Sequence, residues 1–233
     1  MNIWITVLLF LLGLLLIVKG GDWFLDGAVW IAEATGVPRF IIGATIVSLA
    51  TTLPELTVSV TGVLQGEVDL AVGNAVGSVT ANLGLILGIS VLCLPSAVSK
   101  KQFNLKAVLM VAGAALLLGV PASIIGVTMV AIGTSLPELV TTLTAIAKKE
   151  ASMSVGNIIG ANVIDLTLIL PVCSAVSGGK LTIGAQTTAL DLPACLTLCC
   201  IAVIPPLLKG KFYRWQGVLM LALYAGYVVM LVA

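Results

Sequence analysis

The sequence predicts an all-α polytopic membrane protein of about eight transmembrane helices. Its helices form an inverted-topology repeat, with proline-broken helices at the membrane midplane. Three observations predict this. The chain of 233 residues is 60% hydrophobic and only 9% charged, with mean hydropathy +1.21, whereas soluble domains carry roughly 25% charged residues. Residues 37–87 match residues 120–170 without a gap, 22 of 51 positions being identical. Each copy also places a glutamate directly after a proline inside an apolar run, "TTLPEL" at Thr51–Leu56 and "TSLPEL" at Thr134–Leu139.

The elements follow in order. Spans are expected near 2–33, 39–64, 70–94, 104–118, 121–147, 153–176, 186–207 and 215–232, joined by short turns that hold most of the charge, such as "QGEVD", "SKKQFN", "AKKE", "SGGK" and "KGKFYR". The opening segment "MNIWITVLLFLLGLLLIV" lacks a basic leader and a small-residue cleavage site, so it reads as a retained helix, bent at Gly20-Gly21. The whole of 1–233 is one membrane transport domain. Repeat one covers about 37–118 and repeat two about 120–208, with the first helix (2–33) and the last (215–232) flanking them.

Charge sets the orientation. Arg39, Lys100, Lys101, Lys106, Lys148, Lys149, Lys209, Lys211 and Arg214 fall on one side, and only Lys180 falls on the other, with Glu67 and Asp69. Cytoplasmic turns carry the excess of Lys and Arg. The basic side is therefore expected in the cytoplasm of a bacterial or archaeal cell, across its inner membrane, with both termini on the non-cytoplasmic side. Asp22, Asp26 and Glu33 follow the first apolar run and are expected in water or at the interface. Asp191 is expected to be a charge at a helix N-terminus, and Trp4, Trp23, Trp30, Trp215, Tyr213 and Tyr227 to be interfacial anchors.

The net charge of +1 and the lack of a basic run give no sign of a nucleic-acid partner. The chain has no histidine, which removes Ser-His-Asp and Cys-His catalysis. Its five cysteines lie in apolar runs without a CxxC pair and read as small buried hydrophobes. The protein is not expected to be an enzyme and no cofactor is implied.

Three helix starts separate the copies, an odd number, so the second enters the membrane from the opposite side, as in many secondary transporters. A proline removes the hydrogen bond to the carbonyl four residues back, so Pro54 frees that of Ala50 and Pro137 that of Gly133. Irregular backbone at membrane depth is tolerated where it lines a cavity. Thr51 and Glu55 are four apart and share a face, as do Thr134 and Glu138. Two such clusters, brought together by the inverted copies, make an oxygen cage for a hard cation. Two carboxylates balance one Ca2+, and Na+ takes the same oxygens. A single Pro-Glu is most often only a kink; its recurrence at matching repeat positions points to a site.

The partner helices add a second layer. Asn74, Ser78 and Asn82 share one face, as do Asn157, Ala161 and Asp165. Asn74, Asn157 and Ser78 also read as interhelical packing partners. Gly73, Gly77, Gly156 and Gly160 permit close helix approach.

With these residues in view the chain resembles the cation/Ca2+ exchanger superfamily, in particular the prokaryotic sodium/calcium antiporters. The motifs that carry the resemblance are GATIVSLATTLPEL…GNAVGSVTAN and GVTMVAIGTSLPEL…GNIIGANVID. The resemblance implies that Glu55 and Glu138 bind Ca2+ centrally, that Thr51, Thr52, Thr134 and Ser135 help bind Ca2+ and Na+, and that Ser78, Asn82 and Asp165 complete the site. Family members usually have ten helices. Here the fourth span runs straight into the second motif, so the usual fifth and sixth helices are missing, including the one that pairs with the first helix as a gate. Ala161 stands where the family commonly has serine. The expected function is Ca2+/Na+ antiport by alternating access. Coupling to H+ is an alternative, as is a shortened cation-binding core without independent transport, or one that works as a homo-oligomer. An intramembrane hydrolase using paired acids ranks last, since nothing positions a peptide.

Overall fold

The computed structural model describes residues 3–95, 97, 99–116, 131–179, 181, 185 and 187–232. They form α1 (Ile3–Thr35), α2 (Arg39–Thr51), α3 (Leu53–Leu64), α4 (Val68–Cys93), α5 (Lys100–Leu116), α6 (Ala131–Thr134), α7 (Leu136–Ala147), α8 (Ala151–Val176), α9 (Thr187–Lys209) and α10 (Arg214–Val232). Five of these, α1, α4, α8, α9 and α10, are long and apolar enough to cross a membrane; α2 and α3, which meet at a 43° bend, make a sixth span if counted together. The predicted span near 104–118 corresponds to α5, and that near 121–147 to α6 and α7. Residues 117–130, where those two predicted spans meet, lie outside the described residues, as does Lys180. Two of the expected turns are made by glycines: Gly66 (φ 86°), in "QGEVD", turns the chain between α3 and α4, and Gly210 (φ 71°), in "KGKFYR", caps α9. The first span is one unbroken helix through Gly20-Gly21.

α4 lies innermost: 78% of its most apolar stretch is buried, whereas for α1 the figure is 0%. Helices in lipid gain little from hiding apolar surface and associate by close packing instead. Small residues supply it here. A Cβ at Gly43 would strike the Met153 carbonyl, one at Gly156 the Phe40 carbonyl, and one at Gly160 the Ser48 hydroxyl and the Ala44 backbone. α2 and α8 are therefore in backbone contact, as expected for Gly156 and Gly160. Behind them Phe40, Phe103 and Phe212 stack in a chain with ring centroids 6.3 Å and 5.9 Å apart.

Ion pairs tie one end of the bundle. Arg39 meets Glu33 at 2.8 Å and Glu150 at 3.4 Å, and Lys148 meets Asp22 and Asp26, each at 2.6 Å. Arg39 opens α2 whereas Glu150 follows α7, so the start of one copy's first span lies against the end of the other's. Asp22 and Asp26 are partly exposed there, in keeping with an interfacial position. Lys106 departs from the expected turn. It sits within α5 and donates to the Ala44 carbonyl at 2.9 Å, its ammonium 5.7 Å from the Phe40 ring centre.

Among the described residues, four stretches widen to π-helical turns: Gly43–Val47, Asn82–Leu87, Asp165–Ile169 and Thr187–Asp191. Such turns occur often at functional sites. Two of them begin at Asn82 and Asp165, matching positions of the repeat.

Candidate ion-binding site

Each Pro-Glu sits just past a helix break. Thr52 (φ −88°, ψ 0°) separates α2 from α3, and Ser135 (φ −80°, ψ 6°) separates α6 from α7. The proline then occupies the first turn of the new helix, where its missing N–H costs nothing, and the glutamate follows in the same turn. At such a terminus the free N–H groups favour negative charge. Leucine-proline-glutamate thus restarts a helix with its carboxylate pointing into the bundle.

The two breaks are laced together crosswise. Thr52 Oγ1 donates to Glu138 Oε1 at 3.3 Å, and its repeat counterpart Ser135 Oγ donates to Glu55 Oε1 at 3.2 Å. Thr51 Oγ1 lies 3.3 Å from Asn157 Oδ1, and Thr134 Oγ1 lies 3.1 Å from Asn74 Oδ1. The amides of those asparagines then return to their own copies. Asn74 Nδ2 donates to the Glu55 carbonyl and to Ser59 Oγ, and Asn157 Nδ2 to Thr141 Oγ1. Thr141 in turn donates to the Pro137 and Glu138 carbonyls. The four hydroxyls next to the breaks thus each have a contact in the opposite half, while Thr51 and Thr52 also reach the Ser48 carbonyl of their own half, at 3.3 Å and 2.7 Å, and Thr134 that of Ala131, at 3.3 Å.

All nine residues expected at the site are buried. Glu55 is 1% exposed, and Glu138 and Asp165 are 0% exposed. Several of their oxygens have no protein partner among the described residues: Glu55 Oε2, Glu138 Oε2, Asn82 Oδ1, Ser78 Oγ and both oxygens of Asp165, joined by Thr142 Oγ1. Burying an unpaired polar group costs about 1–3 kcal/mol, and more for a charged one. Buried oxygens left without partners in this way suit a hard cation or a proton. Among the described residues no three acids or cysteines stand close enough to hold one metal ion. A cation held here would take at most two of these carboxylates and fill its other positions with hydroxyl, amide or backbone oxygens. Beside the site a cleft of about 220 Å3 runs between α1 and the breaks, lined by Gly20, Gly21, Ala50, Thr51, Pro137 and Thr141.

Asn162 was not among the expected residues. It is fully buried, accepts from Asn82 Nδ2 at 3.0 Å and turns its own amide to Met110 Sδ at 3.7 Å. Its repeat counterpart is Val79, so comparing the copies hides it; the signal that remained was a lone amide three residues before Asp165 on one helix. Tyr227 also departs from expectation. Asp191 stands at the N-terminus of the helical run Leu192–Lys209 within α9, as expected of it. It is fully buried and accepts from Thr187 Oγ1 at 2.6 Å and from Tyr227 Oη at 2.9 Å, which draws Tyr227 in from the interface. Of the cysteines, Cys173, Cys195 and Cys199 are buried as expected, Cys200 partly so, and Cys93 is exposed.

The family described as sodium/calcium exchanger protein matches the chain twice, over residues 5–120 and 107–233. An uncharacterized membrane protein of Methanocaldococcus jannaschii is 30% identical over 297 aligned positions, covering 92% of this chain and 94% of the relative. A chain of 233 residues cannot fill 297 positions, so at least 64 positions of that relative have no counterpart here. The sodium/calcium exchanger MaX1 of Methanosarcina acetivorans is 43% identical over 91 residues, 39% of this chain and 26% of MaX1. Among solved structures, the sodium-calcium exchanger NCX_Mj soaked with Na+ and Sr2+ superposes with a TM-score of 0.80 at 27% identity, covering 94% of this chain and 96% of that one. The same exchanger soaked with Na+ and Ca2+ gives 0.79. The chain belongs to the sodium/calcium exchanger family.

Proposed function

We propose that this protein exchanges Ca2+ for Na+ by alternating access, holding the ions between Glu55 and Glu138 near the membrane midplane, in two oppositely inserted halves. One observation carries the reading. Each glutamate has one oxygen held by a hydroxyl of the opposite half and a second oxygen that is buried without a protein partner. The first contact fixes the carboxylate and the second oxygen is left for an ion. Ca2+ takes 6–8 oxygens, and two carboxylates neutralise it. Thr51, Thr52, Thr134 and Ser135 supply hydroxyls and backbone carbonyls around it. Ser78, Asn82 and Asp165 supply further oxygens from α4 and α8. Na+ competes for the same set at lower charge. The Arg39–Glu150 pair and the crossed hydrogen bonds support opposite insertion of the halves. NCX_Mj is described by induced occlusion of its binding site, and the full burial of the ligands here fits such an occluded arrangement.

The family matches overlap at 107–120, which supports placing the shortening between the copies. At least 64 positions is about the length of two spans with their turns, since a span needs roughly 20–25 residues. Coupling to protons is the second reading, favoured by Asp165. Both its oxygens are buried without partners, a proton satisfies that carboxyl as well as a cation does, and Ala161 offers no hydroxyl to Na+.

Purified protein in liposomes tests these readings. A Na+ gradient is expected to drive Ca2+ flux, abolished in Glu55→Gln and in Glu138→Gln. Flux driven by a pH gradient without Na+ establishes the proton reading. Ca2+ binding by calorimetry without any flux makes the chain a binding core, and flux that survives both substitutions removes the glutamates from the site.

A further inference from the structure

Outside the nine residues expected at the site, one hydroxyl is fully buried without a partner among the described residues: Thr142 Oγ1 on α7. A threonine inside a helix can turn its hydroxyl back to the carbonyl four residues earlier. Thr57, Thr80, Thr167 and Thr197 do so, at 2.9, 2.8, 2.6 and 2.7 Å. Thr142 does not, and the carbonyl it forgoes, that of Glu138, accepts from Thr141 Oγ1 at 3.1 Å. Its neighbours fix the direction it faces. Val140 abuts Gly21 of α1, Thr144 borders α1 as well, and Thr141 takes the amide of Asn157 from α8. Thr142 stands one turn after Glu138 on the same face, and a helical side chain leans toward the N-terminus, hence toward that glutamate. α7 also packs on the widened turn Asn82–Leu87 of α4. Glu138 Oε2, one turn away, and Asn82 Oδ1, at the start of that widened turn, likewise lack partners.

Comparing the two copies shows what frees this hydroxyl. The counterpart of Thr142 is Ser59, whose Oγ accepts from the amide of Asn74 at 3.0 Å. In the second copy the matching amide, that of Asn157, goes instead to Thr141 Oγ1 at 3.0 Å; the first copy has Val58 there, which offers it no oxygen. Thr141 thus releases Thr142. On the partner helices the difference runs the other way. Ser78 of α4 is fully buried with its Oγ unpartnered, and its counterpart on α8 is Ala161. Among the described residues, each copy therefore keeps one buried hydroxyl without a partner: Ser78, one turn before Asn82, in the first, and Thr142, one turn after Glu138, in the second.

We propose that Thr142 Oγ1 is an ion ligand of the second half, taking Na+ together with Glu138 and supplying the hydroxyl that Ala161 lacks. The proposal rests on the exchange reading above and names a residue that reading leaves out. A buried hydroxyl without a partner destabilises the fold, and a cation on its oxygen offsets that. One carboxylate neutralises Na+, so its remaining ligands are neutral oxygens. Ca2+ is held first by two carboxylates together. The loss of one hydroxyl therefore bears on Na+ more than on Ca2+.

Calorimetric titration of the purified protein with Ca2+, alone and against rising Na+, gives both affinities. Thr142→Val keeps the shape and removes the oxygen: Na+ affinity is expected to fall about fivefold, and Ca2+ affinity in Na+-free buffer to fall less. Thr142→Ser keeps the oxygen and should bind as the unsubstituted protein does. Adding Ala161→Ser to Thr142→Val should recover most of the lost Na+ affinity. Without ions, Thr142→Val should unfold no lower in temperature than the unsubstituted protein, since it removes an unpaired group. Na+ affinity unchanged in Thr142→Val would overturn the proposal and leave the hydroxyl to a buried water. A loss in Thr142→Ser equal to that in Thr142→Val would make the residue a packing element instead. A double variant as weak as Thr142→Val would overturn the trade of hydroxyls between positions 142 and 161. The exchange reading fails separately, when Ca2+ binding survives both Glu55→Gln and Glu138→Gln.

Discussion

In the first copy Thr51 and Thr52 reach across to Asn157 and Glu138; in the second Thr134 and Ser135 reach across to Asn74 and Glu55. Outside that layer the correspondence fails. Among the described residues, α7 is covered by α1 while the matching face of α3 lines an open groove, and α4 is covered by α10 while the matching side of α8 lines that same groove. The difference separates two kinds of constraint. At the centre, the side-chain hydroxyl that each glutamate carboxylate accepts from, among the described residues, comes from the other half. A change on one side leaves a buried polar group unpaired on the other, and the energies of such groups keep the halves alike. At the rim the alternative to protein is lipid, which is as apolar as the residues it meets, so one half can lose its cover without leaving a polar group unpaired.

The sharpest way to break the comparison is to make the halves unequal at the centre. Glu55→Gln and Glu138→Gln are each expected to weaken Ca2+ binding by roughly 30-fold or more, since removing one member of a buried charged contact costs about 2 kcal/mol or more. Calorimetric titration of the two variants checks this. If the halves are equivalent in binding, the two losses agree. A loss confined to one variant assigns the ion to one half and dissolves the symmetric cage.

A smaller effect is expected where α2 meets α8. Gly156→Val puts a side chain against the Phe40 carbonyl, and Gly160→Val puts one against the Ala44 backbone and the Ser48 side chain; the backbone cannot move aside as a side-chain tip can. Overpacking of this kind costs about 1–3 kcal/mol, and backbone obstruction places these changes at the upper end. Thermal unfolding in detergent should fall for both. Gly27→Ala on the open face of α1 is the control and should leave the transition unchanged.

The central layer was legible in the sequence because its signals are local and repeated. Proline fixes where a helix restarts, i,i+4 spacing puts Thr51 with Glu55, and the second copy states the same pattern independently. The turns "QGEVD" and "KGKFYR" were legible from the charge they carry, and the glycines inside them, Gly66 and Gly210, are where the chain reverses. Three features were not. Asn162 has an apolar repeat counterpart, so the comparison that found Glu55 and Glu138 passed over it. Asp191 stands near the start of an apolar run, where a solvated cap is the ordinary reading. Its burial depends on Tyr227, 36 residues away in sequence and across a helix pair. Lys106 looked like part of a basic turn, but its ammonium reaches a carbonyl in the widened turn of α2, and π-helical turns leave no mark in hydropathy. Each miss depends on a contact between distant segments.

The finest test concerns a second place where the central layer is uneven. Asn82 and Asp165 hold matching positions, but Asn82 is held by Asn162 and Asp165 has no comparable partner, because Val79 stands where an amide would be needed. A free amide side chain can rotate and present either its NH2 or its oxygen. With Nδ2 bound to Asn162, Asn82 leaves Oδ1 without a partner, an oxygen that can accept an ion but cannot repel one. Asn162→Leu releases that hold at similar volume. Losing one neutral hydrogen bond costs about 1 kcal/mol, so Ca2+ affinity is expected to fall roughly fivefold. If Asn162 acts only through Asn82, the double variant Asn82→Leu/Asn162→Leu should bind no more weakly than Asn82→Leu alone. Additive losses would instead mean that Asn162 supports the site by packing against Met110, and that the orientation of Asn82 is set by something else.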